Sequence, residues 1–369
     1  MNKSIIIGHG ETMRVIGGNK VFIIAEIGKN FIQTKENRPL SEYLNNAKKL
    51  IDAAIYAGVD AVKFQTHELE DEQLDIPITS PHFKGSDRYN WIKRNMEATP
   101  FEFWKELSEY SKQKGILFFS TPMSKKAAQK LEKIGIPLWK IGSGDVDDYL
   151  MLDFVSKTKK PIIISSGMVS LNELEDVIRF VRKNNSQLGL LYCVSQYPCP
   201  KEAFNLGTIE YFIEKYPDIV IGFSDHSITD EASLSAVKMG AKIIEKHFTL
   251  DRGFWGSDHK VSLLPEEMKN LVFNIRSKNY QGIDTSLYYG NKSQELEGAN
   301  NMFRPYFKKA LVASRELKIG DIIKSEDVYS MRPRMYIGGL PSFEYPNILG
   351  KKVGRNLRKY EFINWDMLE

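Results

Sequence analysis

From about residue 21 to residue 275, short runs rich in β-branched and apolar residues alternate with amphipathic stretches. The runs are nearly continuous in apolar character, which is typical of parallel strands covered on both faces. The stretches between them carry apolar residues at helical spacing, and several end in glycine, a common helix stop. The runs begin at Val21, Val59, Gly115, Leu138, Pro161, Leu188, Asp218 and Gly240.

About eight strand–helix units over roughly 250 residues match the size of a (β/α)₈ TIM barrel, and we predict that fold. An open, doubly wound sheet is the competing layout. It rarely needs so many consecutive units, and the first run is not followed by a Gly-rich dinucleotide turn. The glycines before Val21, which are Gly8, Gly10, Gly17 and Gly18, predict a hairpin that closes the bottom of the barrel.

The alternation of apolar runs and amphipathic stretches ends at about residue 278, and the sequence predicts three parts. Residues 1–278 would form the barrel with its hairpin, residues 279–302 a polar linker, and residues 303–369 a compact, β-rich second domain. The basic residues of the last part are interpreted as a solvated face, because no aromatic residues alternate with them as in a nucleic-acid platform.

Composition excludes several classes of protein. Apolar residues make up 42% of the chain and charged residues 27%, which indicates a globular protein. A net charge of +4 over 369 residues is too weak to predict a nucleic-acid or membrane surface, although a local basic pocket remains open. Two cysteines, Cys193 and Cys199, cannot form a disulfide framework, and no apolar stretch suits a signal sequence or a bilayer. We therefore expect a cytoplasmic protein that acts on small molecules.

Each predicted strand ends in polar or ionisable residues. Because the active site of a (β/α)₈ barrel lies at the C-terminal ends of its strands, these residues would meet at one rim. Any one of them could be a solvated strand end, but so many at the same rim predict a functional site. They are Glu26, Lys63, Gln65, Ser120, Thr121, Lys140, Ser143, Asp145, Ser165, Ser166, Cys193, Ser195, Gln196, Ser224, Asp225, His226, Glu245, Lys246 and His247.

Lys63 and Lys140 lie inside otherwise apolar strands, where an unpaired ammonium group is costly. One interpretation is an internal ion pair with Glu26 or Glu245. The interpretation we favour is an anion site, with phosphate as the ligand, because hydroxyl groups gather nearby. Those hydroxyls belong to Thr121, Ser143, Ser166 and Ser224.

His226 and His247 end neighbouring strands, so both imidazoles would face the same side of the rim. A single histidine is more often structural, but two with Glu26 nearby would form an N,N,O donor set that suits Mn²⁺, Co²⁺, Fe²⁺ or Zn²⁺. The segment from Gly253 to Lys260 follows the last strand. It is either an ordinary loop or a place where Asp258 accepts hydrogen bonds from a polyol.

Motifs in order along the chain resemble those of the sialic acid synthase family. They are AEIGKN at Ala25, AVKFQT at Ala61, FFSTP at Phe118, WKIGSGD at Trp139, IISSGM at Ile163, YCVSQYPCP at Tyr192, GFSDHS at Gly222, and IEKHFTLD at Ile244 with the later GSDHK. The final part, with KALVASRELKIGDIIKSEDVYSMRP, resembles the antifreeze-like (SAF) domain that closes those enzymes.

The resemblance implies a metal-dependent transferase of sialic acid biosynthesis. It would condense phosphoenolpyruvate with an open-chain N-acylated hexose, giving a nine-carbon 2-keto-3-deoxy acid and free phosphate. The acceptor would be N-acetylmannosamine or a 6-deoxy diacetamido relative. The metal would be Mn²⁺ in the first place, with Mg²⁺ or Co²⁺ as alternatives.

The same resemblance assigns roles to residues. Glu26 and Asp145 would be catalytic together with His226 and His247, which would also hold the metal. Arg332 matches an arginine that reaches into the partner subunit's site, which implies a domain-swapped homodimer. Phosphoenolpyruvate would be held by Lys63, Thr121, Lys140, Ser143, Ser166 and Ser224, and the sugar by Gln65, Tyr197, Asp258, His259 and Arg332.

Three positions depart from the family pattern. Asn30 is followed by Phe31 where relatives have a histidine, Asp145 replaces a glutamate, and Ser195 stands where asparagine is frequent. These departures favour a modified hexose, such as a legionaminic- or pseudaminic-type precursor, as strongly as N-acetylmannosamine.

Two rival functions remain at this point. One is a Schiff-base pyruvate aldolase on the same barrel with Lys63 or Lys140 as the nucleophile. The other is a non-catalytic sugar-binding protein in which the SAF domain is the interaction unit.

Overall fold

A short hairpin precedes a sheet of eight parallel strands in the computed structural model, which describes residues 4–8, 13–81, 83–292 and 301–369. Strands β1 (Ser4–Ile7) and β2 (Arg14–Gly17) form the antiparallel hairpin. The parallel strands are β3 (Phe22–Gly28), β4 (Ala61–Thr66), β5 (Leu117–Pro122), β6 (Trp139–Ile141), β7 (Ile162–Ser165), β8 (Leu188–Cys193), β9 (Val220–Asp225) and β10 (Ile243–His247). Their order is β5-β4-β3-β10-β9-β8-β7-β6, and β5 lies beside β6, so the sheet curves into a barrel. The predicted fold class is confirmed.

Helices cover the outside of the barrel. Those that follow strands are α1 (Leu40–Ala57), α2 (Leu69–Glu72), α3 (Arg88–Ala98), α4 (Phe101–Lys114), α5 (Lys125–Ile134), α6 (Tyr149–Lys157), α7 (Leu171–Arg182), α8 (Gly207–Lys215), α9 (Glu231–Lys238) and α10 (Pro265–Arg276). Helices α1 and α4 end at Gly58 and Gly115, where φ values of 82° and 75° favour glycine. The main irregularity lies between β4 and β5, where α2, a loop and α3 precede the covering helix α4.

The hairpin closes the bottom of the barrel. Ile5, Ile7 and Ile16 pack against inward-facing residues near the N-terminal ends of the strands, such as Phe22 and Val220. This cluster is separate from the larger one between the strands and the surrounding helices. The strands are therefore buried on both faces, which explains their continuous apolar sequence. Gly10, one of the glycines on which the hairpin was predicted, lies outside the described residues.

The C-terminal domain lies over the opposite end of the barrel. Strands β11 (Ala310–Ala313) and β12 (Val328–Met331) pair antiparallel in it. Residues after β12 extend along α2, with the Arg332 N–H donating to Glu72 O (2.9 Å) and the Leu74 N–H donating to Arg332 O (3.1 Å). The domain also contains the short helices α12 (Arg304–Phe307), α13 (Arg334–Ile337) and α14 (Tyr345–Ile348), numbered after α11 (Ser286–Tyr289).

The segment predicted to be a linker is packed on the barrel over its first half. Tyr288 of α11 is buried, and the Leu206 N–H donates to its carbonyl oxygen (2.7 Å). Residues 293–300 of the predicted linker lie outside the described residues. In the part of the chain that the structure describes, no helix combines the length and the apolar character needed to cross a membrane.

Candidate active site

One cavity opens at the C-terminal ends of the barrel strands and contains most of the predicted site residues. Of the residues to which the resemblance assigned a role, thirteen line it: Glu26, Lys63, Gln65, Thr121, Lys140, Ser143, Asp145, Tyr197, Ser224, His226, His247, Asp258 and Arg332. Strand register explains this convergence. Glu26 is paired with Lys63 on one side and with His247 on the other, and paired residues of neighbouring parallel strands point to the same face.

The closed end of the cavity holds two lysines and two glutamates. Lys63 Nζ lies 2.6 Å from Glu26 Oε2 and 3.6 Å from Glu245 Oε1, and it donates to Thr121 Oγ1 (3.0 Å). Lys140 Nζ lies 3.6 Å from the same oxygen of Glu245. The internal ion pairs that the sequence left open as one interpretation are therefore present.

Burial and neighbouring charges shift the pKa values of the groups at this end. Burial raises the pKa of Glu26 to about 7, although the charge of Lys63 opposes the shift. Burial acts in the same direction on Glu245, but the charges of Lys140 and Lys63 outweigh it and lower the pKa of that carboxyl. Burial lowers the pKa of Lys140, against the charge of Glu245, whereas Glu245 and Glu26 raise the pKa of Lys63. An anion placed beside the two lysines would favour their protonated forms.

Two imidazoles stand beside this cluster. The ring centroids of His226 and His247 are 5.5 Å apart, and the ring of Tyr197 lies 4.2 Å from that of His226. His226 Nδ1 is 2.8 Å from Val194 O and so donates to it, while His247 Nδ1 is buried without a hydrogen-bond partner among the described residues. Burial lowers the pKa of His247 to about 3, which leaves that ring neutral and able to act as a ligand.

The donor set fits a divalent cation only as a pair of nitrogen ligands. No group of three His, Cys, Asp or Glu side chains within the described ranges has the spacing to hold a metal ion. Glu26, expected as the oxygen donor, is instead engaged by Lys63 and by Gln65 Nε2, which donates to Glu26 Oε1 (2.8 Å). The expected N,N,O set is thus not assembled, because the strand register pairs Glu26 with a lysine as closely as with His247.

Asp145 is held by the C-terminal domain. Its carboxylate contacts Arg332 of the same chain and lies 2.7 Å from Lys309 Nζ, which also lies 2.7 Å from Asp148. These four side chains are at most 2% exposed. In this structure Arg332 lines the cavity of its own chain, and the expected contact with a partner subunit's site stays a prediction.

Two residues to which the resemblance assigned a role, His259 and Ser166, do not line the cavity. Of the other residues expected at the rim, five do not line it: Ser120, Ser195, Gln196, Asp225 and Lys246. His259 is used internally, with Nδ1 2.7 Å from Thr249 Oγ1 and Nε2 3.2 Å from Ile32 O. Ser166 was expected to bind the anion, but it is Ser165 that lines the cavity and accepts from Lys140 Nζ (2.7 Å). Neighbouring residues of an extended segment point to opposite sides, and the sequence alone did not show which serine faces inward.

The outer wall of the cavity contains residues that the sequence did not single out. The insertion between β4 and β5 contributes His67, Phe83, Arg88 and Trp91, and Lys29 follows β3. Phe83 and Trp91 pack on each other with ring centroids 5.1 Å apart. The sequence feature that could have indicated these residues is the run of aromatic and basic residues in HFKGSDRYNW.

Phe31, one of the three residues that depart from the family pattern, lies away from the cavity. Phe31 is fully buried under α1 and α4, and its ring centroid is 5.0 Å from that of Phe103. Asn30 before it is also buried, and its Nδ2 donates to Phe248 O (2.9 Å). The lack of a histidine at position 31 therefore removes no polar group from the cavity wall of this chain.

Comparison with known proteins gives matches over nearly the whole chain. Residues 50–282 match the NeuB family and residues 308–369 match the SAF domain. The chain is 33% identical over 348 residues to human N-acetylneuraminate-9-phosphate synthase, covering 92% of this chain and 90% of that protein. It is 31% identical over 351 residues to N,N'-diacetyllegionaminic acid synthase of Campylobacter jejuni, covering 93% and 99%.

A solved structure agrees with the fold. The spore coat polysaccharide biosynthesis protein spsE of Bacillus subtilis matches with a TM-score of 0.79 and 28% identity. The match covers 98% of this chain and 99% of that one. The likeness therefore extends over both the barrel and the C-terminal domain.

Proposed function

The chain belongs to the NeuB family, and from that premise we propose that it condenses phosphoenolpyruvate with an open-chain N-acylated hexose. The observation that carries the proposal is the closed end of the cavity. There two buried lysines and several hydroxyls line the same cavity as two imidazoles. Phosphoenolpyruvate would occupy the anion site, and the aldehyde of the sugar would approach from the side of the imidazoles.

The lysines would bind and orient phosphoenolpyruvate. Lys63 stays protonated, because Glu245 and Glu26 raise its pKa against the effect of burial. Its ammonium group would hold the anion by charge without attacking the enol, which leaves the enol carbon free to act as the nucleophile. The hydroxyls of Thr121, Ser143, Ser165 and Ser224 would complete the anion site.

The reaction forms a carbon–carbon bond and a carbon–oxygen bond to the added water, and it breaks the carbon–oxygen bond to phosphate, while the aldehyde oxygen gains a proton and becomes a hydroxyl. The enol carbon attacks the aldehyde carbon, positive charge develops at the carbon bearing the phosphate, and water adds there. The tetrahedral intermediate collapses, and phosphate leaves with its bridging oxygen. Glu26, with a pKa of about 7, would take the proton that the added water loses.

His226 and His247 would hold a divalent cation, for which Mn²⁺ is the first candidate, with water or substrate oxygens completing its coordination. When bound, such an ion polarises a carbonyl oxygen. Gln65, Tyr197 and Asp258 lie around the imidazoles and would orient the hydroxyls of the sugar.

The acceptor is the finer part of the proposal. The relatives carry names of different products, a phosphorylated N-acetylneuraminate in one and a diacetyllegionaminic acid in the other. We therefore propose an N-acylated hexose as the acceptor class, with N-acetylmannosamine and a 6-deoxy diacetamido hexose as the members to test. A homodimer is also proposed, and sedimentation velocity tests it.

The test is phosphate release from phosphoenolpyruvate with Mn²⁺ and a panel of N-acylated hexoses, with the product followed by mass spectrometry. We expect release only when an acceptor is present. In H₂¹⁸O the released phosphate should be free of label, because the carbon–oxygen bond breaks. Labelled phosphate, or release without any acceptor, contradicts the proposal.

The rival aldolase is tested with the same preparation. A Schiff base on Lys63 or Lys140 would be trapped by borohydride in the presence of pyruvate, and the mass of the protein would increase. We expect no such increase, because Glu245 and Glu26 raise the pKa of Lys63, and Lys140 Nζ donates to Ser165 Oγ (2.7 Å) and lies 3.6 Å from Glu245.

A further inference from the structure

Asp225 and Lys246, two of the residues expected at the rim, form an ion pair behind the cavity. Each follows a cavity-lining residue of its own strand, Ser224 in β9 and Glu245 in β10. Because successive residues of a strand face opposite sides, the two charged side chains point away from the cavity. The strand register places them side by side, with Lys246 Nζ 2.8 Å from Asp225 Oδ2, and both side chains are fully buried. Asp225 and Lys246 are called the rear ion pair below.

The rear ion pair binds the segment that follows β9. Lys246 Nζ donates to Ser227 O (2.7 Å), to Ser227 Oγ (2.8 Å) and to Thr229 O (2.9 Å). Asp225 accepts from the Ser227 N–H through Oδ1 (2.7 Å), and from Ser233 Oγ in the first turn of α9 through Oδ2 (2.6 Å). The N–H and the carbonyl oxygen of Ser227 are therefore both held by one buried ion pair.

His226 lies inside this segment, directly between Asp225 and Ser227. Its carbonyl oxygen accepts from the Cys199 N–H (3.2 Å), and its Nδ1 donates to Val194 O (2.8 Å). The backbone on both sides of the imidazole is thus held by hydrogen bonds. Because Nδ1 carries the donated proton, Nε2 is the ring nitrogen that can bind a ligand in the cavity.

The targets of Lys246 distinguish a positioning role from a purely stabilising one. Replacing a whole buried ion pair by neutral residues of similar size is often neutral for stability, since the cost of burying two charges offsets their attraction. Among the described residues, Lys246 Nζ makes all its hydrogen bonds and ion pairs with segment 225–229, which contains His226. Groups that support a metal-binding residue from behind orient it, and their loss typically lowers metal affinity about 10- to 100-fold.

We propose that Asp225 and Lys246 are positioning residues, which hold His226 where it binds a divalent cation together with His247. The inference rests on the proposed function and adds to it the groups that fix the metal ligands. Lys246 acts on both imidazoles, because it directly precedes His247 in β10 while its ammonium group binds the segment around His226. Neither side chain of the rear ion pair lines the cavity, so both act through the histidines.

The test separates the position of His226 from the stability of the barrel. The double variant Asp225→Asn, Lys246→Met leaves neither charge of the pair buried, so we expect it to unfold in urea near the wild-type midpoint. Its Kd for Mn²⁺, measured by titration calorimetry, should increase about tenfold or more. In the phosphate-release assay, the Mn²⁺ concentration that gives the half-maximal rate should rise by the same factor. The KM for phosphoenolpyruvate at saturating Mn²⁺ should stay unchanged.

Asp60→Asn is the matched control for the single variant Asp225→Asn. Asp60 likewise accepts a backbone N–H, from Ile23 to Oδ2 (2.8 Å), and lies 2.6 Å from Arg276 Nη2. It directly precedes β4 and so lies at the N-terminal end of the barrel, away from the cavity. We expect Asp225→Asn to bind Mn²⁺ more weakly and Asp60→Asn to bind it as the wild-type chain does.

Two results overturn the proposal. A folded double variant that binds Mn²⁺ with the wild-type affinity shows that the rear ion pair does not position the ligands. An equal loss of affinity in Asp60→Asn and Asp225→Asn shows that any weakening of the barrel has the same effect. If the double variant does not fold, the comparison of these two single variants decides by itself.

Failure of the proposed function gives a different pattern. If Mn²⁺ binds but no acceptor supports phosphate release, the calorimetric comparison still decides. If the wild-type chain binds no Mn²⁺, a crystal structure of the double variant without metal decides instead. A His226 ring that has left Val194 O supports the positioning role, and an unchanged hydrogen bond from Nδ1 to Val194 O refutes it.

Discussion

Lys309→Met removes the ammonium group that joins the C-terminal domain to the rim of the barrel. Lys309 Nζ lies 2.7 Å from both Asp145 and Asp148 and donates to Met123 O (2.6 Å). At that separation each ion pair is worth about 6 kcal/mol at an effective dielectric constant of 20, before the cost of burying the charges. Because the lysine is 2% exposed, its loss would leave two carboxylates buried and close together.

The expected result is a large loss of stability. Breaking a buried ion pair by removing one partner costs about 3–5 kcal/mol, and methionine preserves most of the volume of the side chain. Urea unfolding followed by tryptophan fluorescence should show the midpoint moving to lower urea. Lys318→Met, which removes an exposed lysine of the same domain, is the matched control and should move it little.

A second substitution tests whether a buried carboxylate without a cation causes the loss of stability. Adding Asp148→Asn to Lys309→Met removes the carboxylate left without a cation, since Asp145 still contacts Arg332, and should restore part of the lost stability. A Lys309→Met chain within about 1 kcal/mol of the wild type, the range of an exposed ion pair, would refute the reasoning. The buried ion pairs of Lys309 would then make no net contribution to the free energy of unfolding.

Three further predictions concern the same cavity and its support. Glu26→Gln should lower the rate of phosphate release about 10²- to 10⁴-fold and abolish the fall in wild-type activity below pH 7, since the pKa of Glu26 is about 7; an unchanged pH profile contradicts this role. The His226→Ala, His247→Ala double variant should lose Mn²⁺ binding in titration calorimetry, and retained binding would exclude the imidazoles as ligands. Glu173 has a pKa of about 2, because Arg304 and Lys308 lower it against burial, so its contribution to stability is present above pH 4.5 and is lost as the pH falls towards 2. Glu173→Gln should therefore be less stable than the wild type at pH 7, by about 1 kcal/mol for this partly exposed pair, and the difference in unfolding free energy should close as the pH falls from 4.5 to 2.

Much of the barrel and of the inner site could be predicted from the sequence. The eight buried strands are continuous apolar runs, and their C-terminal residues must meet at one rim once the strands are parallel. Glu26, Lys63 and His247 accordingly lie side by side in the sheet register. The order of the motifs identified the family before any contact was known.

Two features depend on the folded chain: which side of a strand a residue faces, and which residue it contacts. Ser165 rather than Ser166 lines the cavity, because alternate residues of a strand face opposite sides and the phase of that alternation depends on packing. Glu26 is engaged by Lys63 rather than by an assembled metal site, because neighbouring strands bring both a lysine and a histidine beside it.

The strands, the rim and the chemistry of its inner end follow from the amino-acid sequence, through its periodicity and the residues at strand ends. Only the tertiary structure brought Arg332 and Lys309 onto Asp145, and Arg88 beside Lys29. These pairs join residues that are distant along the chain and lie on loops or on a separate domain. No local pattern specifies such contacts, because they depend on how an insertion and a second domain pack over the barrel.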